Sequence, residues 1–326
     1  MNTFAFLAYP REISQDLAKL THLPALKLIP DAAYEYAMRK FPIRPVLTGH
    51  LQTSQHPVRG HVISVPLTAN HLKSLPAEEV HAKISEAISH ARDLGASMIG
   101  LGALTAEVSG AGKAFQSRKD ISITSGAAYR AASIVLEIER LLKHLPRKPT
   151  ITLVGSDVVL ASALLPVIQK IHGIHQVTVD PEPTPMKLRE ADLLVLLGDT
   201  SNLQIRSEHL KYNAMVLNAS RGRAMDPRIS RDRSDVIVTD PSIFNPAIRI
   251  QSIPGYSKTL CPSLTETILL SLEGHRGHFA LGGPDSAQIE QLLLLLKKHQ
   301  NLHFDFVPRQ VRPARTTQLQ GSAGWI

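Results

Sequence analysis

Apolar residues recur along this 326-residue chain in two rhythms. One is the spacing of three and four that lays a stripe along a helix; the other is the short unbroken run of a strand buried on both faces. The helical rhythm is clearest over Pro76–Leu94, where Val80, Ile84, Ile88 and Ala91 share a face and Gly95 stands at a helix end. It returns over Ser125–Leu142, with Ala128, Ala131, Val135, Ile138 and Leu142 on one side. Further helices are expected over 158–171, Pro262–Gly274 and Ser286–His299, and a shorter one over Ser14–Leu20. Strands are expected at Phe4–Ala8, Pro45–Leu51 and Gly60–Pro66. Ser97–Leu104 reads as a buried strand running into a glycine-bearing turn, and 109–120 as an exposed loop.

After Pro146-Arg147-Lys148-Pro149 the pattern changes. Thr150–Gly155, Gln176–Val179, Leu193–Leu197, Met215–Asn218 and Asp235–Thr239 are five short apolar runs, with helical stretches between them. That alternation predicts a parallel, doubly wound sheet. The expected fold is therefore α/β with two domains. Residues 147–258 form a Rossmann-like domain, and 1–145, completed by helices of 262–305, form an α/β substrate domain. Residues 308–326 carry few apolar anchors and read as a disordered tail.

Composition narrows the classes. The chain is 43% hydrophobic and 20% charged, as globular proteins are, and holds no run long enough to span a membrane. The first residues lack a basic stretch ahead of an apolar one, so a cytoplasmic location is expected. One cysteine excludes an intrachain disulfide. The net charge of +8 is carried partly by Arg221, Arg223, Arg228, Arg231 and Arg233 and by Arg309, Arg312 and Arg315. These clusters have no interleaved aromatics and no zinc spacing, so neither nucleic acid nor metal is expected as a partner.

That cysteine, Cys261, stands directly before Pro262, which can open a helix. A helix start favours a thiolate, so Cys261 is a candidate nucleophile; the plainer alternative is a small buried residue. The loop Gly155-Ser156-Asp157-Val158-Val159-Leu160-Ala161 follows the first strand of the doubly wound segment, where dinucleotide folds carry three glycines. Here only Gly155 remains; Val158 takes the second place, Ala161 the third, and Asp157 adds a negative charge. Two readings stay open: a modified cofactor loop, or a domain that no longer binds dinucleotide tightly. Asp180 ends the next strand, where an acidic residue meets a ribose and favours NAD over NADP, unless Asp180-Pro181 simply begins a turn. Gly198 and Ser220 follow later strands at the same sheet edge. Ser125-Gly126 begins a helix and could hold an anion. Thr124 and Tyr129 suit either a cleft or the core, Glu266 and Glu273 a solvated or structural role, and His275 and His278 a surface at a helix end.

Three segments in order resemble the long-chain acyl-[acyl-carrier-protein] reductases, a family also labelled predicted amino-acid dehydrogenases. They are Ile99–Thr105 with Ile123–Tyr129, the strand and loop at 150–163, and Glu266-Thr267-Ile268-Leu269-Leu270-Ser271-Leu272-Glu273-Gly274; the opening Phe4-Ala5-Phe6-Leu7 is similar too. The resemblance covers most of residues 1–282. It implies NADPH binding in the central domain and a cysteine that takes the acyl group from a thioester before an aldehyde is released. The family cysteine lies three residues before the helix glutamate, which is Ser263 here, with Cys261 two residues earlier. Either Cys261 or Ser263 then holds the catalytic place. The implied function is an NAD(P)-dependent reductase of an acyl thioester or related carbonyl, with an acyl carrier protein or acyl-CoA as partner. Two alternatives are a non-catalytic Rossmann-fold scaffold and a shikimate-dehydrogenase-like enzyme on a small hydroxy acid, for which no Lys–Asp pair is identified.

Overall fold

The two rhythms separate into two sheets. The computed structural model describes residues 2–10, 28–41, 43–221, 225–226, 228–241, 248–251 and 261–308. Its strands, in chain order, are β1 (Asn2–Ala8), β2 (Val46–Gln52), β3 (Val58–Ser64), β4 (Met98–Leu101), β5 (Ser122–Thr124), β6 (Thr150–Val154), β7 (Gln176–Asp180), β8 (Leu193–Asp199), β9 (Met215–Arg221), β10 (Ile237–Thr239), β11 (Ile248–Gln251) and β12 (Leu302–Pro308). Its helices are α1 (Asp31–Lys40), α2 (Ala69–Ser74), α3 (Ala77–Asp93), α4 (Ala103–Val108), α5 (Ala127–Leu141), α6 (Val158–Gln169), α7 (Pro185–Glu190), α8 (Ile229–Asp232), α9 (Pro262–Leu272) and α10 (Ser286–Lys298).

The seven-stranded sheet runs β11-β12-β2-β3-β1-β4-β5 and is mixed: β2 is antiparallel to both β3 and β12, while the other pairs are parallel. The five-stranded sheet runs β10-β9-β8-β6-β7 and is parallel throughout. The fold is thus α/β with a doubly wound sheet. Its third strand, β8, lies beside β6 on the side away from β7. The switch point, where ligands bind in such sheets, falls between the ends of β6 and β8.

Alternation along the strands explains the layering. Leu153, Val195 and Leu217 face one side of the five-stranded sheet and join the core that holds α5, α6, α9 and α10. Val154, Leu194, Leu196 and Val216 face the other side, against Leu188, Ile205 and Ile229. Phe4, Phe6, Val62 and Met98 of the seven-stranded sheet enter the same core as the first group, while Ala5, Leu7, Ile63 and Ile99 pack on Val80, Ile84 and Ile88 of α3. Four helices therefore lie between the two sheets in one continuous apolar layer. Each fully buried Leu, Ile or Phe there contributes ~1.5–3 kcal/mol of burial.

Several elements depart from the expected ones. Residues 109–120 are not simply an exposed loop: Lys113–Phe115 makes a short 3-10 turn and Phe115 is buried. The three residues of β5 are too few to show a rhythm. Helix α2 is announced only by Thr68, whose hydroxyl accepts the His71 amide at 3.1 Å. The strands β11 and β12, and α1, α4, α7 and α8, were likewise not foreseen. The helix expected at Ser14–Leu20 and the tail beyond 308 lie outside the described residues, as do Arg223, Arg309, Arg312 and Arg315. Among the described residues no helix is long and apolar enough to cross a membrane, and no group of three or more His, Cys, Asp or Glu is arranged to hold a metal.

Candidate functional site

Helix α9 carries an unusual number of hydroxyls for a buried helix. Ser263, Thr265, Thr267 and Ser271 are all under 4% exposed. Two return their protons to the preceding turn: Thr267 donates to the Ser263 carbonyl at 2.5 Å and Ser271 to the Thr267 carbonyl at 2.6 Å. Pro262 opens the helix and Cys261 is its N-cap, half-buried, with no side-chain cap bond of its own. The Cys261 Sγ lies 3.1 Å from the Ser263 Oγ. The two sequence candidates for the nucleophile are therefore neighbours in space, at the positive end of one helix.

They open on a cleft of about 440 Å³ between the sheets. Its walls come from Ala103 and Glu107 on α4, Ser125 and Arg130 at the start of α5, Asp157 and Leu160 at the start of α6, Cys261 and Ser263, and Gly282–Pro284. Among these described residues Arg130 is the one cation. Its guanidinium donates to the Ala219 carbonyl at 2.8 Å, joining α5 to the end of β9. Sequence reasoning missed Arg130; its place one turn into the Ser125 helix was the available signal.

The anion expected at Ser125-Gly126 is present, and it belongs to the chain. Glu266, fully buried on α9, accepts the Gly126 amide at 3.0 Å, the Tyr129 amide at 2.6 Å and the Thr124 hydroxyl. It thereby caps α5 from another helix. Burial pushes its carboxyl up to about 7, against the downward pull of the Thr124 hydroxyl and the Tyr129, Gly126 and Ala128 amides. Glu266 is therefore structural and not solvated, and Thr124 and Tyr129 belong to the core. Gly126 is needed here: its φ is +83°, and a Cβ would stand 2.5–2.7 Å from the Cα, N and Cβ of Ser263.

The first turn after β6 has a different character. Gly155 sits at φ +120°, where a Cβ would overlap the Leu197 carbonyl oxygen, so its glycine is required by the tight turn. Ser156 Oγ accepts the Asp199 amide at 2.9 Å, and the Asp157 backbone lies against Gly198. These contacts bring Gly155, Ser156, Asp157 and Gly198 together at the switch point. Thr200, also buried beside Gly155, has a hydroxyl oxygen with no partner, the kind of group that a ligand or water completes. In backbone shape the turn fits a dinucleotide. In charge it is filled: Asp157 is the N-cap of α6 and its carboxylate accepts the Leu160 amide at 3.0 Å.

The remaining expected cofactor residues are spread out. Val158 is about half exposed and Ala161 is buried in the core. Neither they nor Gly155, Ser156, Asp180, Gly198 and Ser220 line the cleft, whereas Asp157, Cys261 and Ser263 do. Asp180 accepts Lys187 Nζ at 2.8 Å and the Glu182 amide at 3.3 Å, so it serves a turn and an ion pair at the end of β7. Lys187 went unread because its pairing depends on the path of the proline-rich turn. Ser220 donates to Asn218 at 2.7 Å. His275 is half-buried edge-on to Phe279, not at the surface, and burial pulls its pKa down. Both His278 ring nitrogens are buried without a partner. Glu273 is paired with Lys298 and His299.

No family model matches the chain, and no curated protein matches it. Among solved structures it is similar to the bifunctional methylenetetrahydrofolate dehydrogenase/cyclohydrolase of Campylobacter jejuni, at 13% identity over 83% of this chain and 88% of that one, with a TM-score of 0.37. It is similar also to the Trypanosoma brucei enzyme of the same kind, solved with NADP and an inhibitor (14% identity, 91% of this chain, 86% of that one, TM-score 0.35). A third is the hetero-hexameric glutamate dehydrogenase of Thermus thermophilus (11%, 91% and 74%, TM-score 0.35). Likeness at this level assigns no activity, and the fold rests on the chain's own topology.

Proposed function

We propose that this chain is an NAD(P)-dependent oxidoreductase acting on a carbonyl group in the cleft between the two sheets, and that the carbonyl is that of an acyl thioester. The observation that carries the reading is the meeting, in one cleft, of a thiol at a helix start and the first residues of α6, the helix that follows the first strand of a parallel, doubly wound sheet. Gly155, Ser156 and Thr200 would hold a dinucleotide at the switch point, with Asp180 and Lys187 at the next strand end bearing on the choice between NAD and NADP. Bound there, the cofactor supplies the hydride for a carbonyl reduction. The Cys261 sulfur, at the start of α9 and 3.1 Å from the Ser263 Oγ, attacks the thioester carbonyl. A carbon–sulfur bond forms to Sγ, the bond to the carrier breaks, and the carrier sulfur leaves as thiolate and takes its proton from water. Release of the reduced acyl group as aldehyde returns the thiolate. Arg130 suits an anionic part of the substrate, and the net charge of +8 suits an acidic acyl carrier protein.

Fluorescence titration with NADH and NADPH tests the coarser reading; no binding of either at millimolar concentration would sink it and favour the scaffold alternative. Mass spectrometry after incubation with an acyl thioester tests the finer one. An acyl adduct on Cys261, absent in Cys261→Ala and retained in Ser263→Ala, is the expected result; an adduct on Ser263, or none, rejects Cys261.

A further inference from the structure

The phosphates of a dinucleotide in a doubly wound fold sit on the amides at the start of the first helix. At the start of α6 three of those amides are already engaged. Val158 N donates to the Ser156 carbonyl at 2.9 Å, Ala161 N to the Asp157 carbonyl at 3.0 Å, and Leu160 N to the Asp157 carboxylate at 3.0 Å. The first is a backbone bond of the turn and the second is the first i to i−4 bond of α6. The third is made by a side chain that faces the cleft shared with Cys261 and can rotate away. The Asp157 backbone cannot follow it, because its N and Cβ are lodged against Gly198 and Ser156 is tied to Asp199.

We propose that Asp157 occupies the seat a dinucleotide phosphate takes at the start of α6, so that the cofactor binds by displacing this carboxylate from the Leu160 amide. Asp157 is then a specificity-determining residue for the reading above, on which this inference rests. It imitates a phosphate oxygen and opposes a phosphate entering the turn, since two anions cannot share one amide and one helix end. It places this chain apart from a glycine-type turn, where no side chain competes. Ligands that bring no negative charge to this turn meet the smaller barrier.

The test is the dissociation constant of NADH and NADPH, by fluorescence and calorimetry, for the full chain and for Asp157→Asn and Asp157→Ser. Both replacements keep an oxygen that caps the helix and remove the charge, so the fold is retained; thermal unfolding checks this. The expected result is binding about tenfold tighter or more in both variants, the scale of one removed like charge at a phosphate, with a weaker gain or none for adenosine, which carries no phosphate. If the variants bind a dinucleotide no tighter than the natural chain does, Asp157 is not the competing group, and the oxidoreductase reading stands without it. If no form binds NADH or NADPH, both the inference and that reading fall.

Discussion

Two of the helices that begin at the cleft have a carboxylate on their first amides. On α5 the carboxylate is Glu266, reached across more than a hundred residues, fully buried and held by two backbone amides and a hydroxyl. On α6 it is Asp157, the cap residue itself, one bond to Leu160 and one face open to the cleft. Both satisfy the same need, since a helix start leaves amides unpaired. The difference lies in what removing each would undo. Displacing Glu266 would strand several buried donors and loosen α9 from α5, and with it the wall that carries Cys261 and Ser263. Displacing Asp157 exposes one amide to a site where a ligand or water can reach it. Two similar sequence features, a carboxylate near a helix start, thus become one fixed strut and one exchangeable occupant.

The sharpest way to break this contrast is at the contact that Glu266 supports. Gly126→Ala brings a Cβ against the Ser263 backbone at a positive φ, and a loss of about 4 kcal/mol or a failure to fold is expected in urea unfolding. Glu266→Ala follows, at about 3 kcal/mol, because buried amides lose their acceptor; the same measurement on Asp157→Ala should show about 1 kcal/mol, the usual cost of a cap. Equal costs at the two sites would erase the distinction.

The titration of Glu266 sharpens it further. Its carboxyl stands at about 7 in the folded chain against 4.5 when free, so the folded state holds the proton more tightly. The stability this contributes is full below about pH 4.5 and is lost as pH rises through about 7, on the order of 3 kcal/mol in all. Glu266→Gln should flatten the change in urea midpoint between pH 5 and pH 8, and an unchanged slope would place the titrating group elsewhere. The smallest effect is expected at the proposed nucleophile: Cys261→Ala should cost within about 1 kcal/mol, since the thiol is half-buried and caps nothing, and on the proposed function it should remove the acyl adduct entirely.

Rhythm in the sequence was enough for the parts of the fold that repeat. The stripes of α3 and α5 and the five apolar runs of the parallel sheet were legible because each is long enough, or recurs often enough, to show its period. Cys261 before Pro262 declared a helix start, and the solitary Gly155 declared a tight turn. The short strands β5, β11 and β12 carried no period to read. The sequence leaves Glu266 between a solvated and a structural role for a related reason: a polar residue on a helix suits a solvated face, and only the approach of α5 supplies the donors that let a carboxylate be buried. Arg130 and Lys187 were invisible because their partners, Ala219 and Asp180, are met through the paths of loops. Local spacing therefore determined the long or recurring helices and strands and several of their ends. Only the tertiary structure decided which helix ends face one another, and that the start of α5 receives Glu266, because that depends on atoms distant in the chain being brought to 3.0 Å.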